Sequence, residues 1–246
     1  MAPARLPDGT EAVVKVYRDD DVESVQEPDA LRFWDGRGAV RLLDYDPDTR
    51  ALLIERCLPG TPLGNAYDAA ALEVVAETLQ RLWRPPSPDV PWRRLADVAE
   101  AWAERLPTDW ERHGRRYERS LLDEALDALR TLGPTQEDVV LCHQDLHGGN
   151  ILRAEREPWL AIDSKPIVAE RAYDLVPAVR DLDADGRITA REMRRRLDVL
   201  CSLLEVDRER VRRWLIAKHL AWATGGQYFD YEVEMARKAV EVGFLR

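Results

Sequence analysis

The segment that most constrains this chain is VVLCHQDLHGGNILRAEREPWLAID, which begins at Val139. Its apolar runs and turn residues predict a strand at 139–142, a loop at 143–150, and a hairpin with strands at 151–153 and 159–163. The loop has the spacing H-x-D-x-x-x-x-N, and the last strand ends in an aspartate beside it. The segment therefore predicts one polar cluster held by a small β framework.

The polar residues of this cluster are of the types that phosphoryl transfer requires. That reaction passes through a loose transition state, so the protein mainly positions the reactants and neutralises charge. Asp145 is placed to take the proton of an acceptor hydroxyl, whereas Asn150 and Asp163 suit Mg²⁺, which prefers hard oxygen ligands. His143 is predicted to support the loop by hydrogen bonding. The alternative interpretation is a polar surface loop that contains these residues by chance.

The stretch HQDLHGGNIL, followed by AIDSKPIVAERAYDLVPAVRD, resembles the aminoglycoside/hydroxyurea phosphotransferases, in their streptomycin phosphotransferase branch. The resemblance runs from Val13 to about Trp222. It implies an α+β, two-lobed protein-kinase-like fold that binds ATP and Mg²⁺, with Asp174 bracing the catalytic loop. The family usually has IDPKG at residues 162–166 and Gly-Asp-Pro at residues 169–171, so the loop after the metal carboxylate is expected to differ here.

Two lobes are predicted from the order of the elements. Residues 1–58 are expected to form a small β lobe, and residues 59–246 a larger, mainly helical lobe with the catalytic loop and the acceptor site. Lys15 lies in the β-rich run EAVVKVY, from which an ammonium group can reach the phosphates, and Glu27 opens the next helix and can hold that ammonium. The resemblance implies the same two roles. The alternative is an edge-strand lysine with an unrelated glutamate.

The remaining elements are read from apolar spacing and from breaks at Pro and Gly. We expect a hairpin turn at 6–10, strands at 11–17, 39–45 and 51–56, and helices at 27–34, 69–83, 95–106, 115–132, 172–180, 190–204, 211–223 and 233–242.

The nucleotide-binding half of the predicted site depends on the N-terminal lobe. The resemblance implies that the backbone near Glu55 and Cys57 is the hinge that holds adenine. A kinase-like site usually also has a hairpin whose glycine-rich turn covers the phosphates, and only a few residues precede the strand that carries Lys15. Either the true start lies upstream of Met1, or the lobe is truncated, and a truncated lobe is expected to have an exposed sheet edge and weakened nucleotide binding. The alternative to an active enzyme is a non-catalytic, truncated kinase-like binding module that responds to Ca²⁺.

A second motif, DLDADGRITARE at residues 181–192, matches a Ca²⁺-binding loop of the EF-hand type. The expected ligands are Asp181, Asp183, Asp185, Arg187 through its carbonyl, and Glu192. Such a site would be structural or regulatory. The alternative is an acidic loop in which Asp-Gly makes the turn and Thr189-x-x-Glu192 caps the next helix.

Charge and composition narrow the classes of partner. The chain has 246 residues, 45% of them hydrophobic, and a net charge of −10. These values fit a globular protein and argue against nucleic acid as a partner. The three cysteines form no CxxC metal pair. No apolar run has the length of a membrane span or a targeting segment, so no membrane partner is expected and the default location is the cytoplasm.

The acceptor cannot be named from a linear motif. Asp230 and Glu234, which follow Gly225-Gly226 among aromatic residues, suit a cationic aminocyclitol, and the resemblance implies that this region lines the acceptor pocket. The alternative is a solvated, acidic start of a helix. Together these observations predict a small-molecule kinase that transfers the γ-phosphoryl group of ATP to a hydroxyl of an aminoglycoside such as streptomycin.

Overall fold

The first part of the chain forms a four-stranded antiparallel sheet in a computed structural model that describes residues 1–17, 21–64, 66–182 and 186–245. Its strands are β1 (Ala2–Arg5), β2 (Glu11–Val16), β3 (Leu42–Asp46) and β4 (Ala51–Glu55). The spatial order is β1-β2-β4-β3, so β2 lies inside the sheet and β1 lies at an edge. Lys15 on β2 is opposite Leu52 on β4 and is therefore held by an interior strand.

One helix packs against this sheet and reaches the rest of the molecule. This helix, α1 (Glu27–Trp34), has Pro28 in its first turn, where the missing N–H costs no helical hydrogen bond. Trp34, at its last turn, is buried, and its indole N–H donates to the carbonyl oxygen of Leu82 at 3.0 Å. The helix thus holds Glu27 between the sheet and the helical part of the chain.

The helical part begins with α2 (Ala69–Leu82), α3 (Leu95–Arg112) and α4 (Arg119–Leu132). The prediction that the second of these ends at residue 106 is wrong, since α3 continues through Pro107. Its last turn is held because Trp110 is buried and donates its indole N–H to the carbonyl oxygen of Tyr117 at 3.0 Å. Burial of this large ring outweighs the lost hydrogen bond at the proline.

Two short antiparallel pairs lie between α4 and the last helices. Their strands are β5 (Val139–Cys142), β6 (Ile151–Arg153), β7 (Trp159–Ala161) and β8 (Ile167–Glu170). β5 pairs with β8, a strand that the sequence did not predict, and β6 pairs with β7. β7 ends two residues earlier than predicted, so Asp163 lies in the following turn, with a left-handed φ of 61°.

The β6–β7 hairpin is hydrogen-bonded on both sides to other parts of the chain. Ala161 donates its N–H to the carbonyl oxygen of Gly38 at 2.8 Å and accepts from the N–H of Val40 at 3.0 Å. On the other side, Leu63 donates to the carbonyl oxygen of Ile151 at 2.8 Å. The predicted strand at 39–45 therefore joins the large sheet only from Leu42, because its first residues pair with the hairpin.

Five helices follow in the described residues after β8. They are α5 (Arg171–Asp174), α6 (Val176–Arg180), α7 (Ala190–Leu204), α8 (Arg208–Trp222) and α9 (Phe229–Phe244). α8 is central, since it packs on both α4 and α9. A helix long and apolar enough to cross a membrane is not found in the part of the chain that the structure describes.

The arrangement confirms the predicted α+β class, with a small β sheet followed by a helical part. The boundary between lobes at residue 58 stays a prediction.

Candidate active site

The loop after β5 is fixed from beneath by a buried carboxylate. Asp174 is fully buried and accepts three N–H groups: the backbone N–H of His143 at 3.1 Å, that of Gln144 at 2.7 Å and the indole N–H of Trp83 at 2.9 Å. Burial raises the pKa of the Asp174 carboxyl, and these three donors oppose that rise. Asp174 therefore lies where the sequence predicted a brace, under the start of the catalytic loop.

The side chain of His143 also stabilises the loop and does not face solvent. Its ring is buried, and its Nε2 lies 3.0 Å from the carbonyl oxygen of Ile162. Burial lowers the pKa of His143 to about 4, although nearby carboxylates oppose the shift. The neutral ring can then donate its Nε2–H to Ile162, which fits the supporting role predicted for it.

Asp145 lies between two cations. Its Oδ2 accepts from the Nζ of Lys165 at 2.7 Å, and its Oδ1 lies 3.6 Å from a terminal guanidinium nitrogen of Arg180. Burial alone would raise the pKa of the Asp145 carboxyl, but the charges of Lys165, Lys218 and Arg180 outweigh burial and lower it. The carboxylate is therefore ionised at neutral pH, as a group that accepts a proton must be.

Asn150 joins the catalytic loop to the turn that carries Asp163. Its side-chain N–H donates to the backbone carbonyl oxygen of Asp145 at 2.9 Å. The backbone carbonyl oxygen of Asn150 accepts from the N–H of Ile162 at 3.0 Å. The side-chain oxygen of Asn150 accepts no hydrogen bond from the described residues and is free to bind a metal. An amide oxygen and one carboxylate are a ligand set that suits Mg²⁺, which usually keeps several water and phosphate ligands.

The predicted lysine–glutamate pair is formed and reaches the metal side of the site. The Nζ of Lys15 donates to Glu27 and to Asp163, each at 2.5 Å, and the hydroxyl of Tyr17 also donates to Glu27. The other carboxylate oxygen of Glu27 accepts from the N–H of Ser164 at 3.2 Å. A buried glutamate thus links the interior strand of the sheet to the turn after β7.

The segment proposed as the hinge follows β4. The side chain of Glu55 is bound by Arg156, with two nitrogen–oxygen distances of 2.8 Å, so it does not point at a nucleotide. Cys57 is buried, and burial raises the pKa of its thiol to about 11. Neither side chain is therefore available, which leaves the backbone as the group that could contact adenine.

The Ca²⁺ loop is described only in part, because Asp183 and Asp185 lie outside the described residues. In the part that is described, Asp181 accepts from the hydroxyl of Tyr67 at 2.7 Å. The side chain of Glu192 is bound by Arg195 and Arg196. The hydroxyl of Thr189 accepts the N–H of Glu192 at 3.1 Å and caps α7. The structure therefore shows the helix cap of the alternative interpretation, and no metal-binding group of three His, Cys, Asp or Glu residues is found in the described ranges.

The two acidic residues predicted for the acceptor are not brought to Asp145. Asp230 is 83% exposed and pairs with Arg116, and Glu234 is 51% exposed and pairs with Lys238. Both lie on the outer face of α9, four residues apart, so they share one side of the helix.

The inner face of α9 carries other polar groups. The carboxylate of Glu232 lies 2.6 Å from Nδ1 of His219, and the hydroxyl of Tyr231 lies 3.5 Å from the guanidinium of Arg180. Lys218, also buried, donates to the carbonyl oxygen of Gln144 at 3.1 Å. Sequence reasoning missed Lys165, Arg180 and Lys218; only Lys165 had a signal, its position two residues after Asp163.

Comparisons with known proteins agree with this geometry. A family model described as "Aminoglycoside/hydroxyurea antibiotic resistance kinase" matches residues 1–225. A hydroxyurea phosphotransferase of Kitasatospora aureofaciens is 40% identical over 221 residues, which cover 89% of this chain and 63% of that protein. A streptomycin 6-kinase of Streptomyces glaucescens is 38% identical over 224 residues, which cover 89% of this chain and 72% of that protein. The chain thus spans about two thirds of the length of these relatives.

A likeness to solved structures confirms the predicted protein-kinase-like fold. The AMP-bound complex of a spectinomycin phosphotransferase superimposes with a TM-score of 0.61 over 96% of this chain and 87% of that one. The two sequences are 13% identical, so this likeness concerns the fold alone.

Proposed function

The chain belongs to the aminoglycoside/hydroxyurea antibiotic resistance kinase family, and on that premise we propose that it transfers the γ-phosphoryl group of ATP to a hydroxyl group of a small molecule. The observation that carries the proposal is the link made by Asn150. This residue binds the backbone of Asp145 and of Ile162, and so keeps an ionised carboxylate next to the turn that holds Asp163. The hydrogen bonds of one residue would thereby keep the proton acceptor and the metal carboxylate together, although they lie on different segments.

The phosphates and the metal would be held on the side of the site that faces the sheet. Lys15, positioned by Glu27, carries the charge that suits phosphate oxygens. Asn150 and Asp163 would hold Mg²⁺, which when bound neutralises charge on the phosphates. The AMP-bound relative in fold supports a nucleotide as the donor.

Asp145 would act on the acceptor. Its carboxylate takes the proton of the acceptor hydroxyl, and the hydroxyl oxygen forms the new bond to the γ-phosphorus. The bond between that phosphorus and the bridging oxygen breaks, and its electron pair leaves with ADP. The lowered pKa of Asp145 supports this role, because the group is unprotonated before the hydroxyl arrives.

Two acceptor classes follow from the relatives. The streptomycin 6-kinase supports an aminoglycoside such as streptomycin, which is the acceptor that the sequence predicted. The hydroxyurea phosphotransferase, at 40% identity, supports hydroxyurea as the second candidate. A non-catalytic binding module remains the alternative to both.

The test is transfer from radiolabelled ATP with Mg²⁺ to streptomycin and to hydroxyurea, with Asp145→Asn measured in parallel. We expect labelled product from at least one acceptor and a loss of about a hundredfold or more in kcat for Asp145→Asn, the scale of positioned general-base catalysis. Asp123→Asn, on an exposed helix surface, is the matched control. Nucleotide binding without transfer to either acceptor would favour the binding module, and a fully active Asp145→Asn variant would refute the assignment of the base.

A further inference from the structure

The two cations at Asp145 approach it from different parts of the fold. Lys165 follows Asp163 by two residues and therefore comes from the turn that carries the metal carboxylate. Arg180 is the last residue of α6 and comes from the helical side, where its neighbour is Tyr231 on α9. Of the two, Arg180 is the one that does not come from the turn of Asp163, and it lies 3.6 Å from the carboxylate that would take the proton of the acceptor.

The guanidinium of Arg180 is held in place but is poorly satisfied. The side chain is 19% exposed. Its closest polar contacts are the hydroxyl of Tyr231 at 3.5 Å and the carboxylate of Asp145 at 3.6 Å, both at or beyond the usual hydrogen-bond limit. A guanidinium has five N–H donors, and those of Arg180 have no other partner among the described residues. The N–H donors of a mostly buried guanidinium that lack protein partners can bind an oxygen atom of a ligand.

The charges next to Arg180 fix its position and its protonation. Burial lowers the pKa of Arg180, but Tyr231, Asp145 and Glu232 outweigh burial and raise it, so the group stays charged. Glu232 is itself held by His219 at 2.6 Å. This layer beneath the guanidinium is buried, so the free donors of Arg180 are directed by packing rather than by flexible surface contacts.

The surroundings of Asp145 disfavour a cation on the acceptor beside its reacting hydroxyl. Lys165 and Arg180 lie within 4 Å of the carboxylate, and the buried Lys218 binds the backbone of the preceding residue. A guanidinium or ammonium group at that position would meet like charges at short range. The two acidic residues expected to offset it, Asp230 and Glu234, face outward instead.

We propose that Arg180 recognises the acceptor, by donating hydrogen bonds to a carbonyl oxygen adjacent to the hydroxyl that receives the phosphoryl group. The acceptor class is then a small, uncharged molecule with an N–OH group beside a carbonyl, the chemistry of hydroxyurea and of simple hydroxamic acids. This inference rests on the proposed phosphotransfer and chooses between its two acceptor classes. Tyr231 positions the guanidinium and does not contact the reacting atoms.

The experiment compares matched acceptors and matched variants. Acetohydroxamic acid carries the N–OH and the carbonyl, hydroxylamine lacks the carbonyl, and streptomycin is the cationic alternative. Arg180→Met removes the donors and keeps an unbranched side chain of similar length, whereas Arg237→Met removes an exposed arginine that pairs with Glu118 on the surface. Initial rates give kcat and KM for each acceptor, and calorimetry with ATP and Mg²⁺ checks that nucleotide affinity is unchanged.

The wild type is expected to use hydroxyurea and acetohydroxamic acid with a higher kcat/KM than streptomycin or hydroxylamine. Arg180→Met removes a charge beside Asp145 and so acts on every acceptor, but it should raise KM for the two carbonyl-bearing acceptors by about tenfold or more beyond any change seen with hydroxylamine, the effect of losing a charged hydrogen-bond donor. ATP affinity should stay within about twofold. Equal losses for all acceptors, or a wild-type preference for streptomycin, would overturn the inference.

Failure to transfer phosphate to any of these acceptors would contradict the proposed function. The role of Arg180 in recognition would then be tested by the binding of the acceptor alone. Ligand-observed NMR with acetohydroxamic acid measures that directly. Binding that is weakened by Arg180→Met and not by Arg237→Met supports the recognition role, whereas binding that is absent, or equal in both variants, refutes it.

Discussion

Replacing Asp174 with asparagine tests the brace beneath the catalytic loop. In the wild type, one carboxylate oxygen accepts from Gln144 at 2.7 Å, and the other accepts from His143 and from the indole of Trp83. Asparagine keeps one acceptor oxygen and turns the other into an NH₂ group, which must then face an N–H. At least one hydrogen bond is lost, and at least one donor is left buried without a partner.

The size of the effect follows from these contacts. A hydrogen bond to a charged group contributes about 1.5–3 kcal/mol, and a buried donor without a partner costs about 1–3 kcal/mol. Relief of the buried charge offsets part of this loss. We therefore expect Asp174→Asn to lower the free energy of unfolding by about 2–4 kcal/mol. This is a large share of the roughly 5–15 kcal/mol that is typical of a folded domain.

Urea denaturation at neutral pH, followed by tryptophan fluorescence, measures this change. Asp123→Asn is the control, because Asp123 is 55% exposed and its pairing with Arg119 on α4 is a surface contact; its effect should stay within about 0.5 kcal/mol. An Asp174→Asn protein whose unfolding free energy is also within about 0.5 kcal/mol of the wild type would show that the three N–H contacts do not hold the loop.

Three further predictions concern nucleotide binding, acid stability and calcium. Lys15→Met should weaken ATP binding by about tenfold, since an ion pair with the phosphates is lost. Lys238→Met, which removes the partner of Glu234 on α9, should not; calorimetry that finds equal affinities for both variants would contradict the role of Lys15. Burial lowers the pKa of His219 to about 4 from the usual 6.5, so the unfolded chain binds the proton first and stability falls as the pH drops from 6.5 towards 4. This histidine should contribute a slope of about 1.4 kcal/mol per pH unit to the free energy of unfolding in that window, and His219→Gln should reduce that slope, measured by urea denaturation at several pH values, by the same amount. An unchanged slope would show that His219 is protonated equally in both states. Titration of the chain with Ca²⁺ should give a heat that Asp183→Ala abolishes if the Ca²⁺ prediction is correct, and the absence of heat in the wild type would refute it.

The sequence predicted where most helices lie and that a loop follows the strand at 139–142, because both leave local signals. The α1 helix has the predicted bounds, with Pro28 in its first turn, and so has α7, whose start is capped by Thr189. The pairing of Lys15 with Glu27 was also predicted, because both residue types are rare in a buried strand and helix unless they are paired. Contacts between distant elements were harder to predict: β8 is four residues long and forms only against β5.

The acceptor side could not be predicted for a geometric reason. Successive residues of a helix point about 100° apart, so a cluster of acidic residues does not reveal which of them faces the cleft. In α9, Asp230 and Glu234 face outward and Glu232 faces inward. One continuous helix was predicted for residues 172–180, but the helix is interrupted between α5 and α6. Arg180, the last residue of α6, lies near Asp145 in this arrangement.

The hydrogen bonding of the β6–β7 hairpin has a consequence for regulation. Because Ala161 is bound to residues 38 and 40 and Ile151 is bound to residue 63, the turn that carries Asp163 cannot swing away without breaking backbone pairs on both sides. Many signalling kinases are switched off by such a movement. We expect the turn that carries Asp163 to resist such a movement, because each displacement would cost these backbone hydrogen bonds.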